Sequence, residues 1–182
     1  MLTAIFFPIL LGAVLLLLPE FSERNRLLAV TGAGLVITGI LAVCALGGGG
    51  EMLLFSLGDK MEIFFRPDDL GRIFAVIVTI VWILAGFYSF EYMKHEKEEK
   101  RYFGFYLMAF GVLLALDFAG NIITFYLFYE LITLLSMLLV LHSKTKEAIM
   151  GGLKYLFYSL CGAYMVLLGI YFLYKYADTL NF

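Results

Sequence analysis

The chain has 182 residues, of which 63% are hydrophobic and 15% charged, and its formal net charge at pH 7 is −2. Soluble globular domains are nearer half apolar, whereas here the apolar residues come in blocks of about 18–25, the length of a membrane span. This composition excludes a soluble domain, because six such blocks leave too little polar surface to cover one. It also argues against nucleic acid as a partner, since no basic patch with interleaved aromatic residues is present.

The six apolar blocks predict an all-α, polytopic membrane protein with about six transmembrane helices in a single transmembrane domain, residues 1–182, within the lipid bilayer. The predicted helices cover residues 2–18, 27–46, 70–93, 102–116, 122–141 and 147–174. The first block lacks a positively charged segment before it, and Pro19-Glu20 is a poor cleavage site. We therefore interpret it as a retained helix and not as a signal peptide.

The segment between the second and third helices, residues 47–69, is predicted to be a loop on the outer side. Four glycines open it, residues 52–65 have strand character, and Gly58-Asp59 is a plausible hairpin turn. Pro67 and the two aspartates after it predict the start of the third helix, with acidic groups at the positive end of the helix dipole.

Charge placement predicts the orientation of the helices. The turns after helices 1, 3 and 5 hold eight basic residues, Arg24, Arg26, Lys94, Lys97, Lys100, Arg101, Lys144 and Lys146, and the opposite side holds four. Cytoplasmic loops carry an excess of Lys and Arg. The turns after helices 1, 3 and 5, here called the odd-numbered turns, are therefore predicted to be cytoplasmic, and both termini are predicted to lie outside. The protein is predicted to be a multi-pass protein of the cell inner membrane.

Two ionisable residues fall inside predicted helices, Glu130 near the centre of helix 5 and Lys154 about two turns into helix 6. A charge within a membrane costs at least about 2.5–3.5 kcal/mol on insertion scales, so such residues indicate function. The two helices are consecutive and antiparallel, and counting residues from their shared turn gives a depth difference of about 6–8 Å. Two long side chains could bridge that distance directly or through a water, and such a pair is suited to proton transfer.

The alternative for this pair is structural: Lys154 would extend to the cytoplasmic interface, and Glu130 would bond neighbouring hydroxyl groups. Three further residues are weaker candidates for proton transfer. Glu91 and Asp117 lie near the ends of helices 3 and 4, where an interfacial position is more common. His142 lies at the cytoplasmic turn and has a side chain that titrates near neutrality.

The sequence predicts no cofactor, no metal site and no redox or catalytic centre in this chain. Iron–sulfur clusters and structural zinc sites need about four Cys or His ligands, and Cys44 and Cys161 stand alone in apolar blocks. Membrane haem needs histidines inside helices, whereas His95 and His142 are predicted at turns.

Four segments resemble antiporter-like subunits of respiratory complex I, membrane-bound hydrogenases and multisubunit Mrp-type cation/proton antiporters. Residues 121–136, NIITFYLFYELITLLS, resemble their fifth helix, and residues 148–155, AIMGGLKY, the start of the sixth. Residues 68–72, DDLGR, and 88–93, YSFEYM, resemble the boundaries of the third. The resemblance implies that Glu130 and Lys154 correspond to the family's proton-path glutamate and lysine.

The resemblance also implies partners. These subunits have about fourteen helices in two inverted repeats, so a chain with six helices looks like an N-terminal piece, from a split gene, a truncated subunit or an incomplete sequence. Other membrane subunits are expected as partners, including a chain that supplies the missing helices, with redox chemistry in the partners.

We therefore expect a proton-translocating membrane subunit, or a piece of one, of a complex I-like or hydrogenase-like complex. One alternative is a subunit of an Mrp-type Na+/H+ antiporter, and another is a non-conducting structural or assembly module.

Overall fold

The computed structural model describes residues 1–48, 50–56, 61–96, 98–177 and 179–182, with only the backbone described for residues 20 and 22. The described residues form six α-helices and one β-hairpin. The helices are α1 (Leu2–Leu17), α2 (Arg24–Leu46), α3 (Asp69–Tyr92), α4 (Glu99–Asp117), α5 (Ile122–Val140) and α6 (Lys146–Tyr176), and the strands are β1 (Met52–Ser56) and β2 (Glu62–Phe65).

The prediction of an all-α, polytopic membrane protein is confirmed. Four helices are long and apolar enough to cross a membrane, namely α2, α3, α5 and α6. The fifth apolar helix, α1, has 16 residues, and α4 has 19 residues with charged groups at its ends. Helix α4 begins at Glu99, three residues before the predicted start. Charged residues that were predicted to lie in the loop form its first turn, where the carboxylate of Glu99 lies at the positive end of the helix dipole.

The core lies between α1 and α4, which pack together along small residues. The Cα of Gly12 faces the backbone carbonyl of Gly104, and that of Gly111 faces the carbonyl of Ile5. Such close approach is typical of helix pairs in membranes, where packing and not the hydrophobic effect holds helices together. Helix α4 is the central element, since its residues Phe103, Leu107, Phe110 and Leu114 are fully buried.

The hairpin between α2 and α3 pairs its strands antiparallel, with Met52 opposite Phe65 and Ser56 opposite Glu62. The proposed turn at Gly58-Asp59 lies outside the described residues. Strand β2 packs its buried residues against α5, where the ring centroids of Phe65 and Phe128 lie 5.4 Å apart. The hairpin therefore closes the end of the bundle at which α5 begins.

Asn121 joins this hairpin to the start of α5. Its side-chain oxygen accepts a hydrogen bond of 2.8 Å from the backbone N–H of Thr124, and its amide nitrogen donates one of 2.6 Å to the carbonyl of Glu62. The residue is 1% exposed. Asn121 thus caps the helix and ties it to β2.

We expect Asn121→Ala to destabilise the protein by about 2–3 kcal/mol, because the change removes the helix cap and leaves a buried acceptor unpaired. Thermal unfolding of the purified protein in detergent measures the loss. Thr145→Ala is the matched control, since Thr145 caps α6 at an exposed site and its loss is expected to cost about 1 kcal/mol or less. Equal effects of the two changes would contradict the tie to the hairpin.

Candidate functional site at the interface of α5 and α6

Glu130 lies near the middle of α5 and is partly buried. Its Oε1 atom is buried and has no hydrogen-bond partner among the described residues. The phenol of Tyr126, one turn earlier on the same helix, lies close enough to the carboxylate for a hydrogen bond, and Tyr164 of α6 lies near the same phenol. Glu130 is therefore a carboxyl group within a membrane-spanning helix, with an oxygen available to a proton or a water.

Two contacts define how α6 lies against α5. Near the turn between the two helices, the side chain of Leu141 packs on the Cα of Gly152. Deeper in the bilayer, the hydroxyls of Ser136 and Tyr155 form a hydrogen bond of 2.8 Å. Because the helices are antiparallel, Glu130 lies opposite the part of α6 about six residues beyond Tyr155.

Lys154 lies about seven residues before that level, or about 10 Å along the axis of α6. Its side chain also points away from the buried face of α6. The buried residues of α6 are Gly152, Ala163 and Ile170, and with 3.6 residues per turn Lys154 is about 200° around the helix from Gly152. Its side chain is exposed.

The direct contact that residue counting allowed between Glu130 and Lys154 is therefore not formed. No ion pair joins the two residues in the part of the chain that the structure describes. Counting from the shared turn measures depth but ignores the rotation of each helix about its axis. This rotation and the axial distance of about 10 Å together separate the two groups.

Of the three weaker candidates, Glu91 and Asp117 lie away from the interface of α5 and α6, and His142 lies in the turn that joins these helices. Glu91 is exposed and forms an ion pair of 3.4 Å with Lys94. The Oδ2 atom of Asp117 is buried without a hydrogen-bond partner among the described residues. Asp117 lines an apolar cavity of about 600 Å³ between the first turns of α3 and α5 and the end of α4, together with Asp68, Leu70, Phe74 and Phe125.

His142 lies in the turn between α5 and α6. Its carbonyl accepts a hydrogen bond from Arg101, and its ring meets that of Tyr102 edge to face at 5.6 Å. The neighbouring Glu98 pairs with both Arg101 and Lys144. The hydrogen bond from Lys144 lowers the pKa of Glu98 below its usual value of 4.5. The two ion pairs link α4 to the turn between α5 and α6.

Sequence reasoning missed Tyr155 as a polar group of the interface. The sequence indicates hydroxyl groups near Glu130 on helix 5, but not the tyrosine of helix 6 that bonds Ser136. Antiparallel counting from the turn would have placed Tyr155 close to the level of Ser136, so the signal was present in the residue spacing.

No three His, Cys, Asp or Glu side chains come together as metal ligands in the described residues. Cys44 and Cys161 are both free and exposed. The polar side chains placed at the interface of α5 and α6 include the carboxyl group of Glu130 and the hydroxyls of Ser136 and Tyr155.

Two family models match the chain. The model described as "NADH-Ubiquinone oxidoreductase (complex I), chain 5 N-terminus" matches residues 55–103. The model described as "NADH:quinone oxidoreductase/Mrp antiporter, TM" matches residues 119–182. The second match includes both Glu130 and Lys154.

Curated proteins with similar sequences include subunits of Na(+)/H(+) antiporters and subunits of NAD(P)H-quinone oxidoreductases. The chain is 28% identical to a Na(+)/H(+) antiporter subunit of Bacillus subtilis, over 97% of this chain and 37% of that protein. It is 32% identical to the chloroplastic NAD(P)H-quinone oxidoreductase subunit 5 of Glycine max, over 68% of this chain and 16% of that protein. The match to the Bacillus subtilis protein thus covers nearly all of this chain but little more than a third of that protein.

A solved structure has the same fold. A chain of the membrane-bound sulfane sulfur reductase, an archaeal respiratory membrane complex, matches 99% of this chain with a TM-score of 0.77 and 19% sequence identity. The match covers 38% of that chain.

Fold and site together define a multi-pass membrane subunit with an ionisable residue inside a span. The family models and relatives identify its family: the chain belongs to the antiporter-like subunits found in Mrp antiporters and complex I.

Proposed function

We propose that this chain is part of a proton-translocating membrane subunit, in which Glu130 takes up and releases the transported proton. The observation that carries the proposal is the buried carboxylate oxygen of Glu130, which has no hydrogen-bond partner among the described residues. A structural carboxylate within a bilayer would have its oxygens paired, because an unpaired buried charge is costly. A carboxyl group that must alternate between protonated and ionised forms needs an open position.

In this proposal Lys154 acts as a second proton-carrying group, separate from Glu130. The distance of about 10 Å along the axis, estimated from the helical rise, requires intervening waters or hydroxyl groups. His142 on the inner side and Asp117 on the outer side are accessory candidates for proton entry and exit. Glu91 is the weakest of these candidates, since its carboxylate is exposed and paired with Lys94.

We further propose the setting in which this chain acts. Eight basic residues on one side, against four on the other, support cytoplasmic odd-numbered turns and outer termini in the inner membrane. The relatives are subunits of larger assemblies by their printed names, which supports other membrane subunits as partners. In a complex I-like or hydrogenase-like assembly, the redox centres would belong to those partners.

Sodium/proton exchange is the second candidate function. It is supported by two Na(+)/H(+) antiporter subunits, one from Bacillus subtilis and one from Alkalihalophilus pseudofirmus, which each match 97% of the chain. The complex I relatives match about two thirds of it.

Inside-out membrane vesicles that contain the intact complex test these functions. A pH-sensitive dye reports proton movement, first after a redox substrate is added and then after a step in Na+ concentration. Transport driven by the redox substrate supports the first proposal, and a response to Na+ alone supports the exchanger.

The double change Glu130→Ala, Lys154→Ala addresses the non-conducting alternative in the same vesicles. We expect transport to be lost while the amount of assembled complex stays at the wild-type level. Full transport by the double variant would identify the chain as a structural or assembly module.

A further inference from the structure

The interface of α5 and α6 contains one interhelical hydrogen bond between side chains, that of Ser136 and Tyr155, among the described residues. The hydroxyl of Ser136 donates its proton to the backbone carbonyl of Thr133 at 2.9 Å. A serine hydroxyl has one proton, so in this bond Tyr155 is the donor and Ser136 the acceptor. The direction of the bond is thus defined by the geometry of α5.

This bond constrains the rotation of α6 about its own axis. The contacts of α6 with the bundle run mainly through α5 and the turn before it, and the buried residues of α6 are small or spaced far apart. Small residues such as Gly152 and Ala163 allow close approach but hold a helix against rotation weakly. A directional hydrogen bond between the two helices supplies the missing constraint.

The constraint matters because Lys154 is adjacent to Tyr155 on α6. Adjacent residues differ by 100° around a helix, so any rotation of Tyr155 carries Lys154 with it. With the bond formed, the ammonium group of Lys154 is turned away from the interface in which Glu130 lies. A rotation toward α5 would turn the cation into the interface, about 10 Å along the axis from the carboxylate.

We propose that Tyr155, through its hydrogen bond to Ser136, is a positioning residue that keeps Lys154 out of the interface that contains Glu130. This inference rests on the proposed function of Glu130 and adds a condition to it. An ammonium group turned into this interface would favour the ionised form of the carboxyl group through its charge, and so hinder the uptake of a proton. The hydrogen bond keeps that charge out of the interface and leaves Glu130 able to accept and release a proton.

Transport by Tyr155→Phe and Ser136→Ala in vesicles of the intact complex tests the proposal. Interhelical hydrogen bonds in membranes contribute modestly, so we expect each change to lower the transport rate about threefold. The double variant is expected to match the single variants, because residues that act through one bond have non-additive effects. Ser136→Thr keeps the hydroxyl and is expected to retain wild-type transport.

Two readouts separate positioning from a general loss of structure. The pH profile of transport is expected to change in Tyr155→Phe, because Lys154 then moves relative to Glu130. Disulfide formation between Leu141→Cys and Gly152→Cys, with Cys44→Ser and Cys161→Ser, reports the seating of α6 directly. We expect it to be slower in the presence of Tyr155→Phe.

Tyr158→Phe is the matched control, since the same oxygen atom is removed from an exposed tyrosine of α6. Wild-type transport, pH profile and disulfide formation in Tyr155→Phe would overturn the proposal, as would additive effects in the double variant. If Glu130→Gln transports normally, the proposed function fails. If Glu130→Gln is inactive and Tyr155→Phe is unchanged, only the positioning role fails.

Discussion

Glu130→Gln is expected to abolish proton transport by the assembled complex, with a loss of about 100-fold or more. A positioned proton donor or acceptor contributes about 10²–10⁴-fold to proton transfer, and glutamine cannot fill that role because its amide does not titrate near neutral pH. Glutamine nearly matches glutamate in size and still forms hydrogen bonds. The packing of α5 against α6 should therefore persist.

The measurement is the initial rate of dye response in inside-out vesicles, divided by the amount of complex detected in the same membranes. Glu130→Asp is expected to retain part of the activity, since the carboxyl group remains but is withdrawn by one methylene. Glu147→Gln is the matched control, because Glu147 is exposed in the first turn of α6 and should transport at the wild-type rate. Normal transport by Glu130→Gln at wild-type protein levels would reject the proposed role.

Gly111→Ala is expected to destabilise the protein strongly, although alanine favours helices over glycine by about 1 kcal/mol. A Cβ at Gly111 would lie 2.4 Å from the carbonyl oxygen of Ile5 and 2.6 Å from a side-chain carbon of Ile9. The nearer atom belongs to the backbone of α1, so the two helices must move apart. Overpacking of this kind costs about 1–3 kcal/mol, which exceeds the gain in helix propensity.

Thermal unfolding of the purified protein in detergent checks this prediction, with an expected fall in Tm of roughly 3–10 °C. The control is Gly162→Ala on α6, where a Cβ would meet nothing within 4 Å. That change should leave stability unchanged or raise it slightly. A Tm for Gly111→Ala equal to that of the control would contradict the close packing of α1 on α4.

Much of the fold could be predicted because hydrophobic blocks in a membrane protein are set by the bilayer thickness and not by tertiary contacts. The helix around Glu130 was predicted over 122–141 and is observed as Ile122–Val140. Asn121 marks its start through a local capping bond, which needs no distant residue. The errors at helix starts occur where polar residues are helical, as at Glu99, because hydropathy does not distinguish a polar first turn from a loop.

Whether Glu130 and Lys154 face each other could not be predicted in the same way. The sequence by itself determined that both ionisable groups lie within membrane-length helices, and that these helices are adjacent and antiparallel. Only the tertiary structure decided which face of α6 meets α5, since the packing at Gly152 and the hydrogen bond of Tyr155 set the rotation of that helix. Depth along a helix follows from residue number, whereas rotation follows from contacts between helices, and these contacts turn Lys154 away from Glu130.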